Sequence, residues 1–198
     1  MREGRTLPRS FYRRDSRELA PLLLNKLLVH DDAEVGRVAV RIVEVEAYSG
    51  SKDAGSHAFR GETPRLKTMF GPPGHLYVYF TYGMHWCANV VSHIPGDASA
   101  VLLRAGAPVE GFDVMWTRRA KARRERDLAS GPARLTQALG IDGTFDGADL
   151  TAGPVRILDD GTPSPSRLGR SERIGLGPGR GDHHRWRWFV SGDPNVSR

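Results

Sequence analysis

The sequence predicts one domain that mixes strands with helices, and three observations carry that prediction. A chain of 198 residues with 39% hydrophobic content can bury a single core. Short runs rich in β-branched and aromatic residues alternate in character as strands do, over residues 41–48, 76–81, 84–92 and 100–105. Two further stretches, SRELAPLLLNK and SGPARLTQALGID, have helical apolar spacing or helix start and stop residues.

Composition narrows the class. The one cysteine, Cys87, can form neither an internal disulfide nor a thiolate zinc site, which suits a reducing compartment. The opening segment MREGRTLPRSFYRRDSRELA has no apolar run before a cleavage site, so neither a signal peptide nor a membrane anchor is expected. A bacterial cytoplasm is the expected location, or the nucleus if the source is eukaryotic. The absence of heptads predicts a monomer; the length predicts a single domain over residues 1–198, and the arginine-rich opening makes residues 1–10 a flexible basic arm. The net charge of +6 is concentrated in residues 1–30 and 117–134, with seven basic groups in each. Arginine clusters of this kind suit polyphosphate, although RRAKARRER also reads as a solvated helix face.

In chain order, the first helix runs towards a strand near residues 27–30, and residues 31–34 form an acidic turn. The central strand RIVEVEAY comes next. Alternation puts Ile42, Glu44, Glu46 and Tyr48 on one face and Val43, Val45 and Ala47 on the other. Two acids about 7 Å apart raise each other's proton affinity, which favours proton transfer near neutral pH. The competing reading pairs both acids with arginines. His57 comes soon after, and residues 58–72, rich in Gly, Pro and basic residues, read as a loop.

Residues 76–81 and 84–92 form a hairpin around Tyr82-Gly83, where glycine supplies a positive φ. Tyrosine is a poor tip residue for stability, so Tyr82 either wedges into a partner such as a base stack or folds back onto its own sheet. Arg104 ends a buried strand and needs a carboxylate or a phosphate. A basic helix is expected next, then a helix with Ser130 as N-cap, Gly131 and Pro132 at its start, Arg134 in the first turn and Gly140 as terminator. Such an N-terminus suits a phosphate. The run GLGPGRG lacks dinucleotide spacing and reads as a loop. RWRWFVSG reads as a last strand that alternates arginine with tryptophan.

The blocks IVEVEAY, MFGPPGHLYVYFTYGMHWCANV, AVLLRA, SGPARLTQALGI, RIG and WRWFVSG, taken with His57, resemble the alkyladenine (methylpurine) DNA glycosylase family from about Phe11 onward. The resemblance implies an α+β fold: a curved, mainly antiparallel sheet surrounded by helices, with a protruding β-hairpin. It implies no metal or cofactor, double-stranded DNA containing damaged purines as partner, base flipping and hydrolysis of the N-glycosidic bond. Carried over by motif, Glu46 becomes the general base and Arg104 the arginine that positions water and the sugar phosphate. Tyr48, His57 and Tyr79 stack on the flipped base, Asn89 screens guanine, and Tyr82 with Met84 beside it intercalates. Ser130, Gly131 and Arg134 are read as DNA-phosphate contacts.

Three other functions fit parts of this pattern. A metal-dependent nuclease could use Glu44, Glu46 and Asp53 as oxygen ligands. A glycoside hydrolase could use the acid pair, and a non-catalytic DNA-binding module would have no need of Glu46.

Overall fold

Nine strands join in one sheet in a computed structural model of the chain, which describes residues 4–93 and 96–197. In order the elements are β1 (Arg5–Thr6), α1 (Arg9–Tyr12), α2 (Ser16–Leu23), β2 (Leu27–Asp32), β3 (Gly36–Ser49), β4 (Leu76–Thr81), β5 (His85–Ser92), β6 (Ser99–Glu110), α3 (Phe112–Arg118), α4 (Pro132–Leu139), β7 (Val155–Asp159), β8 (Leu168–Ser171) and β9 (Arg187–Val190). The sheet order is β1-β7-β2-β3-β6-β5-β4, with β9 bridging β3 and β8. All the strand pairs are antiparallel. The fold is α+β. Among the described residues no helix is long and apolar enough to cross a membrane.

The local reasons are legible. Asp15 caps α2 by accepting the Arg17 N–H at 2.9 Å, and Leu19, Ala20 and Leu23 turn inward. Asp32 accepts the Glu34 N–H at 2.9 Å and closes the acidic turn before β3. The main core lies on one face of the sheet, where Val45, Ala47, Leu76, Val78, Ala88, Val90, Val101 and Leu103 meet α2 and α4.

Five expectations need correction. The segment taken as a flexible arm is built into the sheet from Arg5: β1 pairs with β7 and Leu7 is buried. Residues 1–3 of that segment lie outside the described ones. The loop after His57 carries short 3₁₀ turns, His57–Arg60 and Pro64–Phe70, which bury Ala58, Leu66 and Met69. The basic run is not a helix: α3 ends at Arg118, and between it and α4 the chain forms only the short 3₁₀ turn Glu125–Asp127. It has no apolar stripe to hold a helix against the core. The N-cap of α4 is Gly131, at φ 125°, and Ser130 instead bridges to Ala105.

The fifth correction concerns β3. The register against β6 runs Ile42↔Gly106, Glu44↔Ala105, Val45↔Leu103, so each strand carries one extra residue, Val43 and Arg104. This double bulge reverses the alternation. Val38, Val40 and Ile42 face the core, and so do Val45 and Ala47. Ile42 therefore does not share a face with Glu44 and Glu46.

Candidate active site

The sheet face opposite the core gathers side chains from neighbouring strands. Glu44, Glu46 and Tyr48 come from β3, Tyr77 and Tyr79 from β4, Cys87 and Asn89 from β5, and Arg104 from β6. Beside them lies a cavity of about 410 Å³ whose walls include Tyr48, His57, Tyr79, Asn89 and Arg104, with the two acids buried behind Tyr48 and Arg104. That size is typical of small-ligand pockets. The glycine-rich loop supplies Ile174, Gly175, Leu176 and Arg180 to the rim.

The two acids have separate surroundings. Glu44 is wholly buried, meets Arg104 at 3.0 Å and Arg187 at 2.6 Å, and accepts the N–H and hydroxyl of Ser197 at 2.6 and 2.9 Å. Glu46 is also wholly buried. Its Oε1 accepts the Ile174 N–H at 2.7 Å and lies 3.3 Å from Arg104 Nη1, while its Oε2 accepts the Tyr48 hydroxyl at 2.9 Å. Both acids thus have an arginine partner, as the competing ion-pair reading holds, and Glu44 has two. Arg104 links the acids and reaches the cavity wall. Burial opposes its charge, but Glu46 and Glu44 outweigh that and hold the guanidinium more firmly protonated than usual.

Aromatic groups form the wall. The rings of His57 and Tyr79 meet edge to face at 4.6 Å, and Tyr77 stacks on Tyr79 at 5.5 Å. Burial, reinforced by Glu46, pushes the Tyr48 phenol well above its ordinary range, and burial carries Tyr77 up to about 12. Both are therefore neutral donors at neutral pH. Burial, then the Arg65 charge, lowers the pKa of His57. Its neutral imidazole has one nitrogen to donate and one to accept, and Nδ1 lies 3.5 Å from the Tyr77 hydroxyl. The Asn89 amide donates to the Tyr77 carbonyl at 3.2 Å.

At the hairpin tip Tyr82, which reaches the rim of the cavity, and Met84 stand in solvent, 83% and 66% exposed, so Tyr82 does not fold back onto its sheet. Tyr82 and Gly83 both have positive φ, at 50° and 66°. A second concavity of about 410 Å³ shares Arg104 and Pro132 with the first, and is lined by Ser130, Gly131 and Arg134 together with Arg126.

Residues that the sequence did not single out are Tyr77, Arg65, Arg187, Ser197 and Arg173. Arg173 and Arg187 lie within the RIG and WRWFVSG blocks; the others carry no local pattern. Asp53, the third oxygen ligand of the nuclease reading, faces Arg173 at 2.5 Å, so each acid of that ligand set is committed to an arginine.

Fold and site together define an α+β protein with a buried carboxylate beside an aromatic-walled cavity, an exposed hairpin and a basic flank. The sequence signature described as Methylpurine-DNA glycosylase (MPG) matches residues 10–194, and the chain belongs to that family. A Burkholderia lata protein is 50% identical over 196 residues, covering 98% of this chain and 92% of its own. Relatives from Streptomyces avermitilis and Methanocella arvoryzae are 48% and 44% identical, over 96% and 97% of this chain and 90% and 96% of theirs. All three bear the name "Putative 3-methyladenine DNA glycosylase".

Proposed function

We propose that this protein is a monofunctional DNA glycosylase that acts as a monomer on double-stranded DNA. It flips alkylated or deaminated purines of the 3-methyladenine, 7-methylguanine, hypoxanthine and ethenoadenine class out of the duplex, hydrolyses the N-glycosidic bond and leaves an abasic site. The observation that carries this reading is the buried Glu46 carboxylate, tied to Arg104 and Tyr48 at the wall of the aromatic cavity.

In this reading the extruded base lies among Tyr48, His57 and Tyr79, with Asn89 screening exocyclic groups, and Tyr82 with Met84 fills the gap left in the stack. Glu46 takes a proton from the attacking water as its oxygen bonds to the anomeric carbon. The C–N bond breaks with its electron pair leaving on the base, which a cationic alkylated purine takes up directly and a neutral one such as hypoxanthine takes up together with a proton, and the carboxylate stabilises the oxocarbenium-like sugar. Arg104 positions the water and the sugar phosphate, while Glu44 positions Arg104. Ser130, Gly131 and Arg134 hold backbone phosphate in the second concavity.

An abasic-site assay on lesion-bearing duplexes tests the reading. Wild-type protein should create alkali-labile sites and retain activity in EDTA, and Glu46→Gln should lose at least ~100-fold in base release while still binding the duplex. An active Glu46→Gln protein overturns the assignment of the base, and strand cleavage that EDTA abolishes points to a nuclease instead.

A further inference from the structure

Behind the cavity wall lies an ion pair to which the glycosylase reaction gives no role. The Asp53 and Arg173 side chains are wholly buried and joined as a fork, Nη1 to Oδ2 at 2.5 Å and Nη2 to Oδ1 at 2.7 Å. Asp53 also accepts the N–H groups of Ser49 and Gly55, at 3.2 and 3.0 Å. Arg173 donates to the carbonyls of Ala47 and Gly181, at 3.0 and 3.2 Å. The pair thereby ties the end of β3, the turn that leads to His57 and the glycine-rich loop to one another. Its guanidinium is also held between two rings, 4.6 Å from the centre of Tyr48 and 5.1 Å from that of Trp186.

Besides Arg104, two groups grip Glu46, and both meet this guanidinium or its backbone. The residue after Arg173 is Ile174, whose N–H reaches Glu46 Oε1, and the ring that the guanidinium backs is Tyr48, whose hydroxyl reaches Oε2. We propose that Arg173, fixed by Asp53, is a positioning residue that sets the orientation of the Glu46 carboxylate through both of its oxygens. A planar cation can fork onto a carboxylate and lie flat against a ring at once, and a lysine ammonium cannot. The shape of the guanidinium therefore matters as well as its charge. This inference rests on the assignment of Glu46 as the general base.

The test is single-turnover excision of hypoxanthine from a duplex, with the Kd for that duplex and thermal unfolding measured alongside, for Arg173→Lys, Asp53→Asn, Ile174→Pro and Glu46→Gln. Ile174 is 41% exposed, so Ile174→Pro removes the N–H donor to Glu46 while leaving both side chains of the buried pair in place. Arg173→Lys and Ile174→Pro should each reduce the excision rate constant, Arg173→Lys on the order of 10²-fold, as small misplacements of catalytic groups do, with Kd unchanged. Unchanged rate constants, or rate and affinity lost in equal proportion, overturn the positioning role. If the two buried variants fail to fold, Ile174→Pro decides alone, and a wild-type rate there overturns the proposal. An active Glu46→Gln overturns this proposal and the assignment of Glu46 as the base together. An inactive Glu46→Gln beside an unaltered Ile174→Pro overturns the positioning role only.

Discussion

Glutamine at position 44 would keep the side-chain shape and remove the charge that faces Arg104 and Arg187. Two largely buried guanidiniums would then share too little negative charge, and breaking a buried pair in this way costs ~3–5 kcal/mol. Glu44→Gln should therefore lower the midpoint of urea unfolding markedly, and by more than Glu46→Gln, because Glu46 has Arg104 as its arginine partner while Glu44 also holds Arg187; equal midpoints would dissolve the distinction between the acids. Tyr48→Phe should keep the ring against Arg173 and lose only the donor to Glu46. A hydrogen bond to a charged group contributes ~1.5–3 kcal/mol, so excision should fall ~10-fold or more with duplex affinity kept. At this scale the shared face of Glu46 and Tyr48 was legible from strand alternation, and His57 was marked by its nearness in sequence and by the family blocks. The division of labour between the acids was not legible, because Arg187 and Ser197 reach Glu44 from 143 and 153 residues away.

The hairpin of β4 and β5 carries its exposed aromatic on a backbone that disfavours it, since a non-glycine residue at positive φ is uncommon. Tyr82→Ala should leave the unfolding temperature almost unchanged, because the tip supports no core. Excision from duplex DNA should fall much more than excision from single strands, where little stacking has to be replaced. Equal losses on both substrates would make Tyr82 a general contact and not a wedge. The start of α4 calls for a different measurement. Arg134→Ala should weaken damaged and undamaged DNA alike and reduce the slope of log K against log salt by about one unit; a loss confined to damaged DNA would place Arg134 at the base pocket. The α4 sequence announced a helix through Pro132 and Gly140, and missed the cap by one residue because Ser130 is taken by the bridge to Ala105. Tertiary pairing overrode local preference, as it also did for β8, whose partner β9 lies beyond a long loop.

Across the molecule, carboxylates held by cations set the response to acid. Arg17 holds Asp15, Arg37 holds Asp31, Lys26 holds Asp159 and Arg41 holds Asp160 below the usual carboxylate range. Their folded values lie below the unfolded one, so the stability they add is present above about pH 4 and is lost as pH falls further. The pKa of His57 is lowered by burial and Arg65, so its contribution runs the same way from a higher start: the unfolded chain takes up that proton below about pH 6.5 while the folded one resists. Thermal unfolding should show a shallow decline from pH 7 to 5 and a steep one below 4, and a maximum near pH 5 would contradict this account. The alternating strands and the hairpin were legible because each is a local pattern. The sheet order and the double bulge were not, because they depend on which distant strand pairs with which. That bulge bears on how the chain could change length. Val43 is the surplus residue of β3 before the acids, so its deletion would leave Ile42, Glu44, Val45 and Glu46 on the faces they now occupy. Loss of a residue from the regular stretch beside it would exchange core and site along part of the strand. A shortened descendant of this chain could dispense with Val43 at far less cost than with Val40 or Glu44.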